Sequence, residues 1–232
     1  MTAKPPTPLF AVSSACRELG LRVGAILFRN VEIGPASTDL RTKIDVEVDR
    51  VRQQFPEMAH AKATPELQRI DSVFRQCGVK PRKHSSSVHR LYHGVIKRKG
   101  FPCVNNLVDA YNLISLQSRC TLGSHDIDQF AAPCTLRLIQ GDETFVPLGK
   151  NQNEQPVPGE FAYIDSAKRV MCRLNVLQAD FSKVTDTTRN AMVIVEGSTA
   201  HDQTELPGIF QRCLELVEQS CGGKGEIIAL PD

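Results

Sequence analysis

A chain of 232 residues, 41% hydrophobic and 23% charged, can bury a sizeable core and has the makeup of an ordinary globular protein. Its net charge of +2 argues against a surface coated in nucleic acid, yet leaves room for one basic patch. With no Trp and aromatics at 6%, exposed stacking platforms for single strands are poorly supplied.

In chain order, residues 1–8 read as a disordered, Pro- and Thr-rich leader without an apolar signal segment. Leu21 to Arg29 is a short apolar run bounded by Gly20 and Asn30, the pattern of a buried strand. Thr38 or Asp39 opens a helix carrying Leu40, Ile44, Val48 and Val51, with a charged face turned to solvent. A second helix follows Pro65 and ends at Gly78. After a polar connector, Ser87 is placed to cap a helix with Val88, Leu91, Tyr92, Val95 and Ile96 as its stripe, closed by Gly100.

No acid occurs between Asp71 and Asp109, while Lys80, Arg82, Lys83, Arg90, Lys97, Arg98 and Lys99 all fall there. Lys97 to Lys99 also suit the negative end of the helix dipole. The length of the acid-free stretch suits contacts to a phosphate backbone.

The helical run within Cys103 to Leu116 has Leu107, Val108, Tyr111, Ile114 and Ser115 on one face and no Lys or Arg. Asn105, Asp109 and Asn112 share another stripe. Such a stripe either hydrogen-bonds neighbouring backbone or faces a ligand. His125 follows a turn, beside Asp126 and Asp128, and is expected to face the same pocket as the amides.

Strands then dominate. Cys134–Ile139 and Thr144–Leu148 are separated by a turn, Gly159–Asp165 pairs with Arg169–Leu174 as a hairpin, and Ala191–Gly197 is a β-branched run. A helix over about Leu206–Ser220 and a strand at Glu226–Leu230 close the chain. Helices first and strands later favour an α+β fold over alternating βαβ units, expected as one domain over 9–232.

The residues alone name little chemistry. No Cys-x-x-Cys pair occurs among eight cysteines, which excludes zinc-ribbon and thioredoxin-like motifs and reads as free thiols in a reducing cytoplasm. There is no Gly-x-Ser-x-Gly elbow and no Gly-rich phosphate loop. His125 with Asp126 and Asp128 lacks further visible metal ligands, and neither Cys103 nor Cys120 is singled out as a nucleophile. On this basis His125 reads first as a structural histidine.

Four ordered motifs add a resemblance. Asn106-Leu-Val-Asp-Ala-Tyr-Asn-Leu-Ile-Ser-Leu and His125-Asp-Ile-Asp128 resemble a signature of the B3/B4 domain in the β chain of bacterial phenylalanyl-tRNA synthetase. The likeness continues through Gly159-Glu-Phe-Ala-Tyr-Ile-Asp165 and Thr188-Arg-Asn190 to Val195-Glu196, spanning about residues 80–200. As the chain lacks the other parts a synthetase needs, it resembles the stand-alone B3/B4 proteins.

The resemblance implies a mixed or antiparallel β-sandwich flanked by helices. It also implies a cytoplasmic tRNA-binding protein that hydrolyses wrongly charged aminoacyl-tRNA without metal or cofactor, and without membrane or DNA as partner. By position, Asn112 and His125 become the catalytic residues, and Glu196 contacts the amino-acid side chain. Tyr111 replaces a smaller hydroxyl residue, and Arg173 or Asn175 stands where the family's pocket wall is Gly-rich, so either is expected to intrude. His89 occupies a position where a Glu is common in stand-alone relatives. The alternative is a non-catalytic module of the same fold that holds tRNA or an amino acid.

Overall fold

The computed structural model describes residues 8–81 and 84–231. The leader reading therefore falls almost wholly outside the described residues, as do Arg82 and Lys83. The strand β1 (Phe10–Val12) passes through Ser13, whose hydroxyl accepts from the Cys16 N–H, into α1 (Ser14–Glu18) and β2 (Leu21–Arg29). Ser37 caps α2 (Thr38–Gln54), and α3 (Met58–Lys62) is followed by α4 (Pro65–Gln76). Pro65 opens α4 where a missing N–H leaves nothing unpaired.

The helices α5 (Ser87–Ile96) and α6 (Asn106–Ser118) lead into β3 (Thr121–Asp126). Then come β4 (Cys134–Leu138), β5 (Phe161–Ile164), β6 (Val170–Arg173), β7 (Leu177–Gln178) and β8 (Asn190–Ser198). The chain finishes with α7 (Leu206–Cys221) and β9 (Lys224–Ala229).

The strands form two sheets. One has the order β1-β4-β5-β6-β7, mixed because β1 runs parallel to β4; the other is antiparallel, in the order β3-β8-β2-β9. Flanked on both sides, β2 pairs with β8 over nine residues, from Leu21↔Ser198 to Arg29↔Asn190. Both its faces are covered, which is why it reads as a continuous apolar run rather than an alternating one. A Cβ at Gly24 would lie 2.3 Å from the Ala229 carbonyl oxygen and 2.7 Å from the Phe210 ring, so only glycine lets β9 and α7 close on β2. Helix α6 packs between α7, α2 and β3. The α+β reading and the helix-flanked sheets hold, and one apolar cluster joins Phe10, Leu21 and Phe74 to Val193 and Phe210. No helix among the described residues is long and apolar enough to cross a membrane.

Several local expectations differ. Ser86, not Ser87, caps α5, its Oγ accepting from the His89 N–H. The strand expected at Thr144–Leu148 is reduced to bridges at Thr144 and Pro147. Pro147 has no N–H for a ladder, and the Glu143 carboxylate ties Gln140 N, Gly141 N and Arg137 into a loop just before it. The segment read as a turn before His125 is strand β3, which is mostly polar and buried on both faces, so it carries no apolar alternation. On α2, one acid of the supposedly solvated face is buried: Glu47 is 6% exposed and pairs with Arg50.

Candidate functional site

The amide stripe of α6 divides by task. Asn105 Oδ1 caps the helix by accepting from Val108 N at 2.9 Å, and buried Asp109 accepts from Val104 N at 2.9 Å. Both serve backbone. Asn112, two turns along, is half-buried and lines a recess of about 140 Å3. Tyr111 and Asn112 enter it from α6, Gly123, Ser124 and His125 from β3, Tyr163 from β5, and Asn175 from the turn after β6. Asn112 and His125 do face one pocket, as the spacing suggested.

His125 is 3% exposed, and its Nδ1 lies 3.0 Å from Ser182 Oγ. Burial pushes its pKa down to about 4, against a smaller upward pull from Ser182, so the imidazole is neutral near pH 7. With Nδ1 engaged, Nε2 is the nitrogen left for chemistry. Tyr111 hydrogen-bonds Ser124, and burial lifts its phenol to about 12.

Glu196 stands one layer back. It belongs to β8, opposite Thr121 of β3 and Val23 of β2, and does not itself line the recess. The Tyr163 hydroxyl donates to its Oε2 at 2.6 Å, so a phenol of the protein lies between this carboxylate and the pocket. Burial raises the Glu196 pKa to about 7, opposed by the Tyr163 bond and by Asn175. Asn175 is near enough to Glu196 to favour its ionised form, yet its buried Nδ2 has no acceptor in hydrogen-bonding geometry.

Arg173 does not intrude. The residue is 8% exposed and its guanidinium pairs with Glu160, Nη2 donating to Oε1 at 3.0 Å, away from the recess. Two left-handed residues follow, Leu174 at φ 55° and Asn175 at φ 50°, and they swing Asn175 into the pocket wall. A left-handed leucine costs about 1 kcal/mol; complete burial of its side chain outweighs that.

Among the described residues, the basic side chains do not form one patch. Lys80 is exposed ahead of α5, whereas Lys97, Arg98 and Lys99 are exposed beyond its other end, about 15 Å away along ten residues. Arg90 lies between, its Nη2 donating to the Val176 carbonyl at 2.9 Å on the rim of the recess. Asp126 caps Asp128 and accepts from Thr188 at 2.6 Å, and Asp128 accepts from Asn190. Among the described residues no three His, Cys, Asp or Glu side chains gather as a metal site. All eight cysteines are unpaired.

Ser124, Gln178 and Ser182 are isolated polar residues without periodic signal, and Ser87 reads in the sequence only as a helix cap, not as part of a recess. Tyr163 lay inside a recognised motif, but its bond to Glu196 is long-range and unreadable from spacing.

The B3/4 domain family model matches residues 70–221, well over half of the chain. The chain belongs to the B3/4 domain family. Every side chain named at the recess lies within this B3/4 span, whereas β1, β2 and β9 lie outside it. Among solved structures, the chain is similar to an N-terminal fragment of the phenylalanyl-tRNA synthetase β-subunit from Pyrococcus horikoshii. That match has 14% identity, covers 96% of this chain and 51% of the fragment, and has a TM-score of 0.46. The chain thus spans about half the length of that fragment. No curated protein matches it.

Proposed function

We propose that this B3/4-domain protein binds the aminoacylated 3′ end of a tRNA and hydrolyses the ester of a wrongly attached amino acid. The observation that carries the reading is the convergence of neutral His125 and Asn112 on one recess. The substrate class comes from the motif resemblance. An aminoacyl ester is already activated, so a held water and a place for the oxyanion suffice. Water attacks the carbonyl carbon while His125 takes its proton; the carbonyl–ribose C–O bond then breaks, and the ribose oxygen receives the proton.

A base with a pKa near 4 is weak, so His125 orients the water more than it ionises it. Asn112 holds the α-amino group or the water. Glu196 acts through Tyr163 rather than by touching substrate, a positioning role.

The test is release of amino acid from a panel of mischarged tRNAs. The expected result is cleavage above the spontaneous rate for at least one, with His125→Asn lowering kcat about a hundredfold while tRNA binding holds. Salt-sensitive tRNA binding with no ester cleaved across the panel would replace the enzyme reading by the binding module. The small recess, narrowed by Tyr111, is the feature that favours that second reading.

A further inference from the structure

A second and larger recess, about 820 Å3, opens between α4 and α5. It is bordered by Lys62, Arg75 and Lys80, with Asp71, Ser85 and His89, so three cations face one carboxylate. Asp71 holds Arg75 only loosely, at 4.0 Å.

His89 makes the recess more than a cluster of surface cations. It is 3% exposed, and its Nδ1 is held 2.7 Å from Ser86 Oγ. Its buried Nε2 has no hydrogen-bond partner; Asp71 Oδ1, at 3.7 Å, is beyond reach. An unpaired buried polar group costs about 1–3 kcal/mol, which an oxygen-rich ligand would recover. Burial holds the His89 pKa down, with Asp71 opposing and Lys62 assisting, so an anion entering beside it favours proton uptake.

We infer that this recess is a phosphate subsite for the strand whose 3′ end enters the His125 recess, with Lys62, Arg75, Lys80 and the His89 imidazole as its donors. The assignment of the ligand to that strand rests on the proposed function; the anion chemistry does not.

Position supports the link. Ser85 borders this recess and Ser87 the other, so the two recesses meet the chain on either side of the Ser86 cap, at Cα atoms at most about 7 Å apart. Size supports a nucleotide unit over a free anion, since 820 Å3 lies within the range of about 300–1,000 Å3 that holds whole small ligands. Asp71 and Arg75 also border a further recess of about 580 Å3, which extends the groove along α4.

The test uses the full chain, with His89 followed by NMR during titration with a CCA trinucleotide, with inorganic phosphate and with adenosine. The expected result is a His89 shift with CCA, a weaker one with phosphate and none with adenosine. Lys62→Ala with Arg75→Ala, both exposed, should flatten the salt dependence of CCA binding by about 1.4 in log–log slope, about 0.7 per lost phosphate contact. A His89 resonance unmoved by CCA, a salt slope unchanged in the double variant, or phosphate binding as tightly as CCA would each overturn the inference. Binding is read without turnover, so absence of deacylation sinks the proposed function and leaves this result standing.

Discussion

Glu196 and His125 are buried with opposite consequences for pH. Glu196 ionises near 4.5 when solvated and near 7 in the folded protein. The stability it lends is whole below pH 4.5 and lost as pH rises through about 7, up to roughly 3 kcal/mol. His125, shifted from 6.5 to about 4, does the reverse: its share is whole above pH 6.5 and lost as pH falls through about 4. Glu196→Gln is therefore expected to raise the urea midpoint at pH 8 and leave it nearly unchanged at pH 4.5. Parallel curves for variant and wild type would show that this carboxyl does not titrate inside the fold. Tyr163→Phe strips the ionised carboxylate of its donor and should cost about 1–3 kcal/mol at pH 8, less at pH 5. Denaturant titrations at the two pH values check it. Glu196 was visible in the sequence as a carboxylate ending a strand, but the phenol in front of it was not.

At the scale of elements, α6 is fixed at its start by a residue with no cue of its own. Asn106 Nδ2 donates to the Glu32 and Ser220 carbonyls at 2.8 and 2.9 Å, while its Oδ1 accepts from Gly34 and Leu107 N–H groups, both at 3.0 Å. One side chain thus ties the loop after β2, the first turn of α6 and the end of α7. Asn106→Ala should cost about 3 kcal/mol, because four backbone groups lose their partner inside the protein. Asn105→Ala removes only a cap and should cost about 1 kcal/mol. Equal melting temperatures for the two variants would refute the distinction. The long periodic elements, β2, α2, α4, α6 and α7, were legible to within a residue or two, because burial of one face imposes its spacing on the sequence. The short ones, β1, α1, α3 and β3, were not: β1, α1 and α3 hold less than two periods of their pattern, and β3 is built largely of Thr, Gly, Ser, His and Asp, which give no apolar alternation.

For the whole molecule, the span that matches the family and the span that closes the fold differ. Residues 70–221 carry the recess but omit β2 and β9, and β8 makes its nine-residue ladder with β2. They also omit β1, which pairs with β4. A fragment of 70–221 would bare the apolar flank of β8 and the surface that Phe28, Ile26 and Val23 cover. It is expected to be unfolded or aggregated, judged by far-UV circular dichroism and amide dispersion, whereas 8–231 folds. A well-dispersed fragment would show that β2 is dispensable.

By itself the sequence determined the class of fold, the family and the meeting of Asn112 with His125, since each is written in local periodicity or in ordered motifs. Tertiary structure alone decided that Arg173 turns away to Glu160, that Tyr163 screens Glu196, and that Lys80 lies beyond one end of α5 and Lys97, Arg98 and Lys99 beyond the other. Those outcomes depend on contacts between positions tens of residues apart, or on which side of a strand or helix faces the core. No spacing along the chain encodes either.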